Sequence, residues 1–155
     1  MRITDKAIYF WGTADIYSNW YPAPTGVFAN SEQAFMWYKA DFFGDEEIKD
    51  KIFKETNPAE AKKLGRLVKG FDAKAWECVK FGLMTYVNLL KFQQNSELGQ
   101  NLRDTGDRIL VEASPVDNIW GVGLGANDDK ILDPANWKGQ NLLGQALIQV
   151  RKLIT

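Results

Sequence analysis

Glu32 and Lys39 stand seven residues apart in the segment Ser31-Glu32-Gln33-Ala34-Phe35-Met36-Trp37-Tyr38-Lys39, which has helical patterning. Seven residues are nearly two turns, so an acid and an amine share one helix face about 10 Å apart along the axis. Phe35 and Met36 lie between them. That spacing is too long for an i,i+4 ion pair. The two read either as solvated ends of an amphipathic helix or as two walls of a cleft with an apolar floor. A second group follows in Val111-Glu112-Ala113-Ser114-Pro115-Val116-Asp117-Asn118-Ile119-Trp120-Gly121. A strand there delivers Glu112, a Ser-Pro turn presents Asp117 on a loop, and Trp120 precedes backbone that glycine makes permissive. Loop carboxylates beside a ring suit a sugar or nucleotide site. The plainer reading makes Asp117 a turn residue and Trp120 a core ring, and the residues alone leave both open.

Three weaker signals accompany these. Gly121-Val122-Gly123-Leu124-Gly125 invites comparison with phosphate-cradling loops but lacks their spacing before a helix and any following Lys-Ser/Thr pair. Asn141 places an amide at a helix start, where backbone N–H groups favour anions, although a plain N-cap explains it as well. Arg66 and Trp76 can be surface charge and core ring.

What the chain lacks narrows the chemistry. It has no histidine, which removes Ser-His-Asp triads, Cys-His pairs and His metal sites. Its single cysteine, Cys78, excludes an internal disulfide and a Cys-rich zinc site; it falls in a helical pattern and reads as a small core residue. Acid–base work is left to Asp, Glu, Lys, Tyr and water, and no cofactor or metal is expected. With 19 Lys+Arg against 20 Asp+Glu, the net charge of −1 argues against a dedicated duplex-DNA binder. A small anionic substrate held by a few local cations, or a single-stranded piece, fits better. No apolar run reaches the roughly 18 residues that span a bilayer, and Met1–Gly12 lacks the form of a signal peptide, so a cytoplasmic monomer without membrane contact is expected.

The elements that must position these residues follow from local signals. Ala7–Trp11 reads as a strand ended by Gly12, and Asp15–Pro24 as an ordered loop. Asn30 caps a helix over Ser31–Phe43, with Gln33 at the capping-box position and Gly44 closing it. Glu46–Lys54 is a second helix with Ile48 and Ile52 inward. Asn57-Pro58-Ala59-Glu60 starts a third, which carries Ala61, Leu64 and Val68 inward and stops near Gly70. Asp72 caps the longest helix, Ala73–Gln94, with Trp76, Val79, Leu83, Val87 and Leu90 on its apolar stripe. Ser96 opens a short helix that ends at Thr105-Gly106.

Ile109–Ala113 alternates as a strand, Leu110 and Glu112 on one face. After the loop Ser114–Asn118, Ile119–Leu124 reads as strand-like, Gly125–Lys138 as a surface loop, and Asn141–Leu153 as a last helix burying Leu143, Leu147 and Val150. At 155 residues the chain fits a single domain over 1–155. The fold class is α+β, mostly helical with a small sheet.

Taken in order, several motifs resemble the NADAR superfamily of YbiA-like N-glycosidases. They are Ser18-Asn19-Trp20, Ser31-Glu32-Gln33 with Lys39, Leu64-Gly65-Arg66, Trp76, Lys91-Phe92-Gln93-Gln94-Asn95 and Thr105-Gly106. Leu110-Val111-Glu112-Ala113-Ser114-Pro115 with Asp117, Trp120-Gly121-Val122-Gly123-Leu124, Gly139-Gln140-Asn141-Leu142-Leu143-Gly144 and Val150-Arg151 complete the set. The resemblance spans about Tyr9 to Leu153. Two departures stand beside the site: Gln33 where the family often has His, which exchanges one donor, and Val116 where it often has Tyr.

The resemblance implies a YbiA-like fold and hydrolysis of the bond between ribose C1′ and an exocyclic amino nitrogen. The implied substrates are phosphorylated ribosylaminopyrimidine intermediates of riboflavin synthesis, or ADP-ribose attached to guanine, free or within nucleic acid. It implies Glu32, Lys39 and Asp117 as catalytic residues, and Asn19, Trp20, Arg66, Trp76, Glu112, Trp120 and Asn141 as substrate-binding residues. The chemistry is consistent: a carboxylate near C1′ stabilises an oxocarbenium-like state, a second one moves the proton, and indoles stack the base. Lys39 offers an imine route through the ring-opened sugar if burial lowers its pKa. The competing class is a nucleotide or ADP-ribose reader, or the protective partner of an ADP-ribosylating enzyme, with the same cleft and no turnover.

Overall fold

In the computed structural model, which describes residues 1–154, six helices pack beside a three-stranded sheet. β1 (Arg2–Ile3) pairs antiparallel with β2 (Ala7–Phe10). β2 pairs in parallel with β3 (Ile109–Glu112), Tyr9 opposite Val111 and Phe10 opposite Glu112. The crossover between these parallel strands holds α1 (Ser31–Phe42), α2 (Glu46–Lys54), α3 (Pro58–Gly65), α4 (Ala73–Gln94) and α5 (Ser96–Arg103). After β3 the chain makes two 3-10 turns, Asp129–Leu132 and Pro134–Asn136, and ends in α6 (Leu142–Leu153).

Strand alternation sorts the side chains into two layers. Ala7, Tyr9 and Val111 meet Val122, Leu124 and Ile131 on one face of the sheet. Ile8, Phe10 and Leu110 meet α1, α4 and α6 on the other. Glu112 shares parity with Leu110 and stands opposite Phe10, so the sheet points this acid toward the helices. Gly144 lets α6 settle onto β3: a Cβ there would run into the Leu110 carbonyl oxygen and the Asn141 amide.

The expected helix starts form as capped ends. Asn30, Asn57 and Asp72 each accept from a first-turn amide, as does Asp45 before α2. Four expectations need correction. Of the stripe that the pattern predicts on α4, Val87 is fully buried and Trp76 and Leu83 pack partly buried on the core, but the most buried line also runs through Lys80, Met84, Asn88, Lys91 and Phe92. Its buried face is therefore partly polar, because it backs a loop whose carbonyls need donors. Cys78, off that stripe, is exposed and is no core residue. Val68 is buried but lies beyond α3, which stops at Gly65. Ile119–Leu124 forms bends rather than a strand, because its backbone makes isolated bonds instead of a ladder: Val122 N donates to the carbonyl of Glu112 at the end of β3 at 3.1 Å, and Gly121 O accepts from Asn141 N at 3.0 Å. Among the described residues, no helix is long and apolar enough to cross a membrane.

Candidate active site

Three acids from distant segments meet beneath one cleft. Glu32 lies in the first turn of α1, where helix-start amides favour a negative charge. Its amide donates to the Asn19 carbonyl at 3.1 Å, which ties the preceding loop to the helix. The side chains of Trp20 and Asn19 hydrogen-bond to its carboxylate. Burial pushes the Glu32 carboxyl above its ordinary range; Lys62 and those two hydrogen bonds oppose the rise, and Asp117 adds to it.

The loop carrying Asn19 and Trp20 is held from behind by α4. Lys91, fully buried, donates through Nζ to the carbonyls of Ile16 at 2.7 Å and Ser18 at 2.8 Å. Burial pushes its amine down to about 7. Asn88 Nδ2 donates to Asn19 Oδ1 at 3.1 Å, which fixes the orientation of the Asn19 amide, whose Nδ2 donates to Met84 Sδ at 3.1 Å.

Glu112 ends β3, and Asn141 braces it. Asn141 Oδ1 accepts from the Glu112 amide at 3.0 Å while Nδ2 donates to the Leu110 carbonyl at 2.9 Å. Asn141 itself adopts a left-handed conformation (φ 53°), and its side chain makes no cap bond to α6. It is thus a brace for the strand, and it lines neither of the cavities that the acids border. The Glu112 Oε2 atom is enclosed with no hydrogen-bond partner among the described residues. Burial, then the charges of Asp117 and Glu32, push its carboxyl up to about 8, with Lys62 opposing.

Asp117 closes a turn in which Oδ1 accepts from the amides of Ile119 at 2.9 Å and Trp120 at 2.8 Å. Its Oδ2 lies 3.6 Å from Lys62 Nζ. Gly121 permits the close approach of this turn to β3: a Cβ would come within 2.9 Å of the Glu112 carbonyl oxygen.

These groups border two joined spaces. An outer cleft of about 480 Å³ is lined by Trp11, Lys63, Arg66 and Val116 among others. An inner space of about 60 Å³ reaches Asn19, Glu32, Phe35 and Trp120. Trp20, Lys62, Glu112 and Asp117 line both. Acids sit at the deep end and cations along one wall, so a ligand with an electrophilic carbon and an anionic tail is accommodated in one orientation.

A family model described as the NADAR domain matches residues 9–155. The chain belongs to the NADAR family. It is 37% identical to "N-glycosidase R617" of Acanthamoeba polyphaga mimivirus, over 96% of both chains. It is 28% identical to "Riboflavin biosynthesis protein VVA0006" of Vibrio vulnificus, over 97% of this chain and 39% of that protein. The NMR structure of the E. coli protein YbiA superposes with a TM-score of 0.78 at 30% identity, over 98% of this chain and 86% of that one. The α+β architecture read from the sequence is thus the architecture of YbiA.

Within this NADAR chain the expected site residues divide. Glu32, Glu112, Asp117, Asn19, Trp20, Trp120 and Arg66 border the connected cavities. Trp76 stands one ring further back, against Phe35 (centroids 5.5 Å), which in turn meets Trp120 edge-on at 5.3 Å. Lys39 is on the far side of that stack. Its Nζ donates to the Gly65 carbonyl at 2.9 Å and lies over the rings of Phe71 and Trp76. Burial, then Arg66, push its amine down, but neither Lys39 nor Trp76 lines either cavity.

Gln33 also turns away from the site. It accepts from the Ala29 amide and donates to the carbonyls of Ile52 and Phe53, locking α1 to the end of α2. The exchange of His for Gln therefore changes a structural brace in this chain rather than a donor in the cleft. Lys62, which no motif singles out, borders the space that the acids share. The helix period is the signal that reveals it: Ala59, Lys62, Lys63 and Arg66 form the i, i+3, i+4, i+7 face of α3 and its cap.

Proposed function

We propose that this NADAR-family chain is an N-glycosidase that cleaves the bond between ribose C1′ and an exocyclic amino nitrogen of a phosphorylated substrate. Several relatives named N-glycosidase support the reaction class; two substrates stand within it, a ribosylaminopyrimidine phosphate, which the riboflavin-biosynthesis relative supports, and ADP-ribose attached to guanine. The observation that carries the reading is the cluster of Glu32, Glu112 and Asp117 around Lys62 at the deep end of the cleft.

Glu112, raised to about 8, holds a proton at neutral pH and delivers it to the leaving amino nitrogen. As the C1′–N bond breaks, positive charge spreads over C1′ and the ring oxygen, and Glu32 and Asp117 stabilise it. Water adds to C1′, its proton passes to Asp117, and return of that proton to Glu112 restores the site. Free amine and ribose phosphate are the products. Lys63 and Arg66 on the cleft wall take the phosphate. A second route is favoured by the position of Lys62, which lines both spaces: its neutral amine adds to the ring-opened imine, the base leaves as the free amine, and water hydrolyses the resulting Schiff base to ribose phosphate and free lysine.

Incubating the chain with a ribosylaminopyrimidine phosphate, and in parallel with ADP-ribosylated guanosine, and measuring released base tests the reading. Release from either substrate that is lost in a folded Glu112→Gln variant supports it. Binding of both without release over hours replaces it with a nucleotide or ADP-ribose reader.

A further inference from the structure

Five of the six tryptophans have a structural engagement, and one does not. Trp20 hydrogen-bonds to Glu32, Trp37 packs on Phe28 and Tyr38, and Trp76 and Trp120 flank Phe35. Trp137 donates Nε1 to the Ile131 carbonyl at 2.8 Å. Trp11 is 52% exposed and belongs to neither hydrophobic cluster. It nevertheless sits on rigid backbone. It directly follows β2, its amide donates to the buried Asp15 Oδ2 at 2.9 Å, and Gly12 at φ 83° turns the chain away behind it.

The register places the backbone of Trp11 just past the parallel pair. Phe10 is opposite Glu112, and the Phe10 carbonyl accepts from the Ala113 amide at 2.9 Å. Trp11, one residue on, follows the end of the parallel pair, and it and Glu112 both line the outer cleft. Val116, 83% exposed, supplies an apolar side chain to the same lining.

We infer that Trp11 is the stacking face for the base of the substrate, and that through it the cleft favours extended, two-ring heterocycles over single-ring ones. The inference rests on the glycosidase reading for the orientation of the ligand: Glu112 addresses the nitrogen that joins base to sugar, so the exposed ring lining the same outer cleft meets the base. Because stacking strength grows with overlapped area while the phosphate and ribose contacts stay constant, removing Trp11 penalises the larger base more.

The test uses the full chain with GMP and UMP as probes, neither of which carries the scissile exocyclic bond, and isothermal titration as the readout. Trp11→Ala weakens GMP roughly ten-fold and UMP two- to three-fold, and Trp11→Phe keeps GMP within about three-fold of the parent. Quenching of tryptophan emission by GMP shrinks in both variants. Equal losses for the two nucleotides, unchanged GMP affinity in Trp11→Ala, or no GMP binding by the parent at millimolar concentration each overturn the inference. Base release without GMP/UMP discrimination removes this inference alone; discrimination without base release removes the glycosidase reading alone.

Discussion

Lys62 Nζ lies 3.6 Å from Asp117 Oδ2, and the same ammonium opposes the rise of the Glu32 and Glu112 carboxyls. One cation on α3 thus faces three acids from α1, β3 and the loop after it. A Lys62→Met variant leaves those acids without it. Base release is expected to fall on the order of a hundred-fold, the scale for losing one electrostatic partner of a transition state. The Glu112 carboxyl is expected to titrate higher than in the parent, which carbon-detected NMR of labelled glutamate follows directly.

Glu112 couples activity to stability with a defined sign. Its folded-state value, about 8, is above the ordinary 4.5, so the folded chain binds this proton more tightly than the unfolded chain. The contribution is complete below about pH 4.5 and is lost as pH rises through 8. Glu112→Gln lacks that loss. The melting temperatures of parent and variant are expected to converge near pH 5 and to separate by pH 9 with the variant higher, while its base release drops by two orders of magnitude or more.

Lys91 works in the opposite direction. Its folded-state value, about 7, is below the ordinary 10.5, so burial of the charge penalises the folded state fully below pH 7, and the penalty fades as pH climbs to 10.5. Relative to Lys91→Met, the parent therefore gains stability across that window, as paired denaturant titrations at several pH values measure. The variant also frees the carbonyls of Ile16 and Ser18. Because that loop delivers Asn19 and Trp20 to Glu32, a several-fold lower kcat is expected even where the variant is fully folded.

Lys39→Met separates the two lysines. Its amine holds the Gly65 carbonyl and faces rings, so the substitution is expected to cost about 1 kcal/mol of stability and to leave base release within three-fold of the parent. Under the imine route, borohydride reduction during turnover traps a ribosyl adduct on the Lys62 peptide and none on the Lys39 peptide, as peptide mass mapping reads out.

Local signals make most of the scaffold legible. Asn30, Asn57 and Asp72 announce helix starts because a cap is a contact between near neighbours. The alternation of Ile109–Ala113 already places Glu112 on the face of Leu110, which is the helical side. What stays hidden depends on neighbours far along the chain. Asn88 and Lys91 are such cases: a hydrophobic pattern sets polar residues outside, while here the loop through Ile16, Ser18 and Asn19 supplies their partners. The glycines from Gly121 to Gly125 look like either a strand or a phosphate loop until the backbone atoms pressed against Gly121 are known. Helix spacing aligns Lys39 with Glu32, yet the Phe35–Trp76 stack intervenes between its surroundings and the cleft.

The parallel pairing of β2 with β3 brings the two ends of a long helical excursion together. Glu112 and Trp11 come to line the same cleft when that final closure occurs, whereas the helices can form from local contacts beforehand. During refolding, then, ellipticity should return well before catalysis does, and a nascent chain still emerging from the ribosome would carry nearly all its helices while having no working centre.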